Sequence, residues 1–358
     1  MLQAMYCNEK CRHLAEDFHQ HEHKIWPYLH AIKSSQRDLI ATRIIELFGP
    51  RNLLDLFRQV EHDEHSFNIL TRANPPGFDQ NHVYDASTYG PIFHLVSHSE
   101  PELLDNVSNA FKAILLTNLL KEQSNFFQQM ETTDEETTAA GKESQLFDFT
   151  ASLILHHLEN IPYNAISLNE FRCEENNVNN PRGVLLRQRS HLGVKSVPYA
   201  SAIFGLLAMC NHSCSPNAVH VRSAQRNETA LVALRSLRAG EEICITYGPL
   251  FTVHEWEDRQ RILKDKYNFD CSCDACTNRW SLKGPSDVIA LEKYKKVEVF
   301  EKQLHQVHEL IEQSKYIEAI SKLQPCLHFF GSNFPQTFPL TQVAQDLFKK
   351  ALIFVVNC

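Results

Sequence analysis

Three cysteines fall within six residues, in Cys271-Ser272-Cys273-Asp274-Ala275-Cys276. Thiolates this close repel one another, and a soft cation is their natural neutraliser. Zinc takes four ligands in a tetrahedron, and structural zinc sites are rich in thiolate. The run supplies three ligands, so a fourth must come from elsewhere. The opposing reading is three ordinary loop cysteines gathered by chance. A second group of metal-binding residue types, Cys7-x3-Cys11-x7-His19-x3-His23, lies near the amino terminus. The chain has 358 residues and 11 cysteines, an odd number, and its first residues are polar and charged with no secretory segment. Thiolate–metal chemistry in a reducing compartment fits this pattern better than disulfides. The expected location is intracellular, in the cytoplasm, the nucleus or both.

These groups need a scaffold. With 43% apolar residues, the chain can bury a sizeable core in two or three domains. Its net charge of -8 gives it no global attraction for nucleic acid, and no basic helix follows either cysteine group, so direct nucleic-acid binding is not expected. No stretch reaches the roughly 18 apolar residues of a membrane helix, so no membrane partner is expected. From Ser35 to Phe67 apolar residues recur at helical spacing, interrupted by Gly49-Pro50. A longer helix is predicted with Leu103, Leu104, Val107, Phe111, Ile114, Leu115 and Leu119 on one face. Residues 131–145 are acidic and aperiodic and read as a flexible surface loop, followed by a helix over Leu146–Leu158. Asn176 to Gly183 reads as a turn-rich insert. Ala218–Arg222, Thr229–Arg235 and Glu242–Tyr247 are short runs rich in Val, Ile, Leu and Thr, separated by turn residues, and read as strands. After Cys276 the pattern is helical to the end. The fold class is α+β.

Asn211-His212-Ser213-Cys214-Ser215-Pro216-Asn217 resembles the NHSCxPN signature of SET domains. Arg238-Ala239-Gly240-Glu241-Glu242-Ile243, then Thr246-Tyr247-Gly248, is similar to the AGEE strand and catalytic tyrosine of that family, and the late cysteines resemble its post-SET zinc motif. The amino-terminal cysteines and histidines resemble the second half of a MYND finger. The chain is thereby similar to SET and MYND domain-containing protein-lysine methyltransferases, in particular the subgroup with TPR-like helices. The domains expected on this basis are a partial MYND-like finger over residues 1–30 and a helical insert region over 31–160. A small mixed β SET core follows over 161–250, a post-SET zinc segment over 251–280 and a TPR-like helical domain over 281–358.

The resemblance also implies roles. Asn211 and His212 would hold S-adenosylmethionine by backbone and side-chain hydrogen bonds, Asn164 would contact the same cofactor, and Phe269 would pack on its adenine. Tyr247 would place its hydroxyl beside the transferred methyl, and Tyr267 would line the lysine channel. Zinc would be held by Cys214, Cys271, Cys273 and Cys276, with Cys7, Cys11, His19 and His23 as a further set. Bland alternatives stand beside these. Outside the motif Tyr247 reads as a strand-end tyrosine, Phe269 as core, Asn164 as a helix-terminal cap, and the half-finger as a short helix exposing His and Cys.

The match has departures. The family carries a Gly-rich loop ahead of its finger, and none stands upstream of Cys7 here. A truncated chain or an incomplete gene model is the expectation. Ala208-Met209-Cys210 stands where the family often has Ser-Leu-Leu, and Cys210 reads as a small buried apolar residue. The implied function is S-adenosylmethionine-dependent methylation of protein lysines, histone or not. The competing function is an impaired SET fold acting as an interaction scaffold through its helical carboxy-terminal part.

Overall fold

The structure, a computed structural model, describes residues 6, 8–62, 77–79, 81, 83–85, 88–97, 103–130, 140–173, 194–223, 228–280 and 291–357. The chain forms two compact units. One comprises Met1–Leu168 with Ala200–Ala208, and the other Asn169–Tyr199 with Met209–Cys358.

The first unit is helical. Among the described residues it contains α1 (Glu9–Ala31), α2 (Gln36–Phe48), α3 (Pro50–His62), the short α4 (Tyr89–Phe93), α5 (Leu103–Gln123), a 3-10 turn at Gln128–Met130, α6 (Ala140–Asn164) and the single-turn α7 (Gly205–Ala208). Local chemistry sets the boundaries. Ser35 and Asp38 form a reciprocal capping box at the start of α2, which satisfies two of the orphan donors of a helix start. Gly49 ends α2 at φ +86°, a conformation that glycine adopts without strain, and Pro50 opens α3. Ile25, Ile45, Leu53, Leu116, Leu120, Phe126, Ile154 and Leu158 fill the core.

Three expectations need correction here. Residues 140–145, read as loop, are the first turns of α6, and Lys121 reaches Glu143 there at 2.7 Å. Residues 131–139 lie outside the described residues, as does the Asn176–Gly183 insert. On α5, the residues read onto one face are not its core side: Leu104, Val107, Phe111 and Ile114 face solvent and Leu115 and Leu119 are half-buried, while Asn109, Ala113, Leu116 and Leu120 are buried. At 100° per residue the exposed and buried sets lie on nearly opposite sides of the helix. The helix is apolar on both, and the side bearing small Ala113 and Asn109 packs inward. Finally, the half-finger is one continuous helix, α1, capped by the Asn8 side chain. Cys11 and His19 stand eight residues apart in it, about 12 Å along the axis, so they do not converge on one ion. His23 donates its Nδ1–H to the His19 carbonyl at 2.8 Å. Cys7 lies outside the described residues.

The α1–α2 packing buries a carboxylate at a cost. Glu46 is 1% exposed, and neither of its oxygens has a hydrogen-bond partner among the described residues. Arg43 pairs instead with Glu22 at 2.5 Å. Burial first, then the neighbouring Glu22, push the Glu46 carboxyl up to about 9. Its folded value therefore lies above its unfolded one. The folded state holds the extra proton, and stability falls as pH rises between those values. The slope in that window is about 1.4 kcal/mol per pH unit. Glu46→Gln should remove it, so the variant gains roughly 3 kcal/mol over the parent between pH 6 and pH 8. Urea denaturation at the two pH values measures this, and equal pH slopes would refute it.

Strands β1 (Ile166–Cys173) and β2 (Val194–Ala202) pair as a two-stranded ribbon. In the second unit, β3 (Asn211–His212) pairs in parallel with β6 (Cys244–Ile245), setting Asn211 beside Cys244 and His212 beside Ile245. β4 (Ala218–Ser223) and β5 (Glu228–Ala233) form an antiparallel pair from Ala218–Ala233 to Ser223–Glu228. Next come α8 (Trp256–Tyr267) and the short α9 (Asp274–Thr277). The last three helices, α10 (Leu291–Glu312), α11 (Tyr316–Asn333) and α12 (Pro339–Asn357), pack around Val307, Leu323, Phe330 and Ala344, and Leu234 of the strand region joins their core. No helix among the described residues is long and apolar enough to cross a membrane.

Candidate active site and metal centre

The four cysteines meet. The sulfurs of Cys214, Cys271, Cys273 and Cys276 all lie within 4.8 Å of one another, and those of Cys214 and Cys276 are 3.5 Å apart. Four sulfurs at 2.3 Å from a tetrahedral zinc would stand about 3.8 Å apart, so the spacing fits such an ion. Cys214, Cys271 and Cys276 are buried. The Cys214 amide also points at the Cys273 sulfur, at 3.4 Å. Without a cation the crowded sulfurs share protons. Hydrogen bonds to Cys271 and Cys273 push the Cys214 thiol far up, while bonds received from Cys214 and Cys271 pull the Cys273 thiol down. A divalent ion removes this conflict by favouring all four thiolates.

Helix α8 presents the late cysteines. It ends at Asn268 in the left-handed conformation, φ +54°, which asparagine tolerates better than most residues. The chain then turns back through Phe269 to Cys271. Gln260 grips the Cys271 backbone at both ends: its Oε1 accepts the amide at 2.9 Å, and its Nε2 donates to the carbonyl at 2.8 Å. The neighbouring Arg259 is fully buried and donates to the carbonyls of His254 at 2.7 Å and Ala275 at 3.0 Å. α8 thus holds both arms of the cysteine loop.

His212 sits between the cluster and Tyr247. Its Nδ1 accepts the Tyr247 amide at 3.0 Å, and its Nε2 lies 3.3 Å from the Cys214 sulfur. A backbone amide can only donate, so Nδ1 carries no proton and the neutral ring carries it on Nε2. Burial holds the imidazole down to about 4, against a smaller opposing effect of Cys273, so the ring is neutral at physiological pH. Both ring nitrogens are therefore occupied within the protein. The expected side-chain bond from His212 to a cofactor is corrected on this point, and only its backbone is available for that role.

Tyr247 donates its hydroxyl to the Cys210 carbonyl at 2.9 Å. Burial, then the neighbouring Tyr267, push its phenol up to about 12, so it stays protonated. Cys210 is half-buried rather than buried, and its carbonyl is what meets the site. The Tyr267 ring lies 5.0 Å from Tyr247, and its hydroxyl donates to the Tyr247 carbonyl at 3.1 Å. Phe269 packs edge-on to Tyr247 at 6.5 Å and lies 6.2 Å from His212. Asn211 is exposed, and its amide donates to Glu242 at 2.6 Å.

Asn217 fixes the strand that carries Tyr247. Its Oδ1 accepts the Cys244 amide at 2.9 Å, and its Nδ2 donates to the Glu242 carbonyl at 2.8 Å. Arg235 ion-pairs with Glu241 across the Gly240 turn and holds that carboxyl at about 2. Asn164 makes local contacts. It belongs to the first unit, where its amide donates to the carbonyls of Val96 and Asn160, both at 2.7 Å. That local role uses both of its amide protons and corrects the expectation of a cofactor contact through them. Sequence reading passed over Gln260, Arg259 and Asn217 as positioning groups. Gln260 and Arg259 carried no signal in the sequence beyond lying shortly before the cysteine run.

The SET domain family model matches residues 3–248. The protein-lysine N-methyltransferase SMYD4 of Danio rerio is 25% identical over 315 residues, covering 79% of this chain and 40% of the relative. Human N-lysine methyltransferase SMYD2 is 31% identical over 137 residues, 37% of this chain and 29% of the relative. The histone-lysine N-methyltransferase set5 of Schizosaccharomyces pombe is 37% identical over 75 residues, 21% of this chain and 23% of the relative. The matched part spans less than half the length of each of these relatives.

Proposed function

The chain belongs to the SET domain family, and from that premise we propose that it is an S-adenosylmethionine-dependent protein-lysine N-methyltransferase with a structural zinc ion. The observation that carries this reading is the convergence of a protonated Tyr247 hydroxyl, the Cys210 carbonyl and the Tyr267 and Phe269 rings beside a four-cysteine cluster. The names of the relatives point to the same reaction, on histones in one case.

Bound S-adenosylmethionine supplies an electrophilic methyl group on sulfur. Asn211 would help hold it: Glu242 fixes the side-chain amide, and the Asn211 Oδ1 has no hydrogen bond among the described residues. Phe269 would cover an apolar face of the cofactor. Tyr267 and Tyr247 would wall the lysine channel. An aromatic, half-buried wall disfavours the ammonium form, so the substrate amine gives up its proton to solvent before it can attack. Tyr247 orients the amine with a neutral dipole, and alignment of this kind is the main contribution a protein can make to an in-line transfer. Because the phenol stays protonated to about 12, the rise in rate with pH should follow the lysine and not Tyr247. The four thiolates would hold zinc in a closed tetrahedral site, away from the reacting atoms. A zinc tetrathiolate carries two net negative charges, and the buried Arg259 guanidinium offsets part of them.

Calorimetric titration with S-adenosylhomocysteine tests the assignment. Micromolar binding, followed by label transfer from S-adenosylmethionine to a lysine peptide library, is the expected result. A flat titration would remove the enzyme reading and leave the scaffold role.

A further inference from the structure

We propose that His212 is a positioning residue that couples the metal cluster to Tyr247, an inference that rests on the zinc and methyl-transfer reading above. Three hydrogen bonds run in series. The Tyr247 amide donates to His212 Nδ1 at 3.0 Å, His212 Nε2 donates toward the Cys214 sulfur at 3.3 Å, and the Tyr247 hydroxyl donates to the Cys210 carbonyl at 2.9 Å. The direction of the first bond fixes the tautomer, and the tautomer fixes the direction of the second. The ring packs 5.3 Å from that of Tyr247, and the residue is only 8% exposed, so it has little room to reorient. Pairing of β3 with β6 supports the same geometry, since His212 stands opposite Ile245, two residues before the tyrosine.

A thiolate bound to a metal is a strong, fixed hydrogen-bond acceptor. It holds the imidazole by Nε2, and the imidazole in turn holds the backbone from which the Tyr247 side chain projects. The metal then does more than close a loop: it sets the position of the hydroxyl facing the substrate. Supporting hydrogen bonds to metal ligands typically change metal affinity by about 10- to 100-fold, and the same bond here should also be felt in turnover.

Two substitutions separate the halves of the relay. His212→Gln keeps a side-chain N–H near the Nε2 position and loses the acceptor for the Tyr247 amide. His212→Asn keeps an oxygen near the Nδ1 position and loses the donor to Cys214. Each variant is loaded with zinc, and metal transfer to a chromogenic chelator is measured alongside kcat and KM at saturating zinc. The Asn variant should surrender zinc roughly 10- to 100-fold more readily. The Gln variant should keep its zinc and show the larger fall in kcat, with KM little altered. Parallel loss of both properties in both variants, or no change in either, would overturn the coupling. Imidazole 15N shifts of the zinc-loaded parent chain give a readout without substitution, with Nε2 protonated and Nδ1 bare as the expected pattern. The opposite tautomer would also overturn it. Failure of a zinc-loaded parent chain to transfer methyl would instead count against the functional reading, and its 15N pattern would still report on the relay; failure to bind zinc would overturn both.

Discussion

Replacing Cys273 with serine is expected to strip the metal from the protein. The chain should fall from one bound zinc to a small fraction of one, measured by elemental analysis after gel filtration. Cys273 lies at the centre of the cluster: its sulfur receives the Cys214 amide, and its carbonyl accepts the Cys276 and Thr277 amides that start α9. Serine is a poor ligand for zinc beside three thiolates, and structural zinc contributes about 10–16 kcal/mol of apparent binding energy to the fold it closes. The loss should therefore extend beyond the metal. The wall residues Tyr267 and Phe269 are held between α8 and Cys271, so their near-ultraviolet circular dichroism should collapse while the helical signal of the rest persists. Metal content equal to that of the parent chain would contradict the cluster.

The second large effect concerns Tyr247→Phe. The substitution keeps the ring contacts with Tyr267 and His212 and removes only the hydroxyl that donates to Cys210. Loss of one preorganised polar group facing a transition state costs roughly 10²- to 10³-fold in kcat. S-adenosylhomocysteine affinity should stay within a few-fold of the parent, because the proposed cofactor contacts are Asn211 and Phe269. Single-turnover kinetics beside calorimetry separates these quantities. An unchanged rate would remove the hydroxyl from the mechanism.

How much of this was legible in the sequence differs from residue to residue. Cys271, Cys273 and Cys276 announce themselves because their spacing is local. Cys214 does not, since only the fold brings it to them across 59 residues from Cys273, and the motif around it was the sole pointer. The Gly49-Pro50 break between α2 and α3 was readable because each residue has a specific backbone preference. The inward face of α5 was not. A helix apolar on two sides offers two solutions, and the choice was made by packing against α1 and α6 rather than by periodicity. The side-chain role of His212 was hidden for a similar reason. One partner, the Cys214 sulfur, is two residues away, but the other, the Tyr247 amide, lies 35 residues on and is brought to it by β3 pairing with β6. Arg259 and Gln260 belong to residue types that are usually solvated, and nothing short of the folded α8 shows that they face inward.

The reach of Cys214 back to the late cysteines has a consequence for the chain before it folds. With a metal bound, Cys214 and Cys273 are tied across 59 residues, and β4, β5, β6, Tyr247 and α8 all lie inside the ring so formed. A cross-link closing a ring of that size withdraws conformational freedom from the denatured ensemble worth about 4 kcal/mol. The helices α10 to α12 lie outside the ring and take no share of this term. Part of the advantage of the segment bearing Tyr247 would therefore come from the disorder that the unfolded chain is denied, and chelation would give that disorder back.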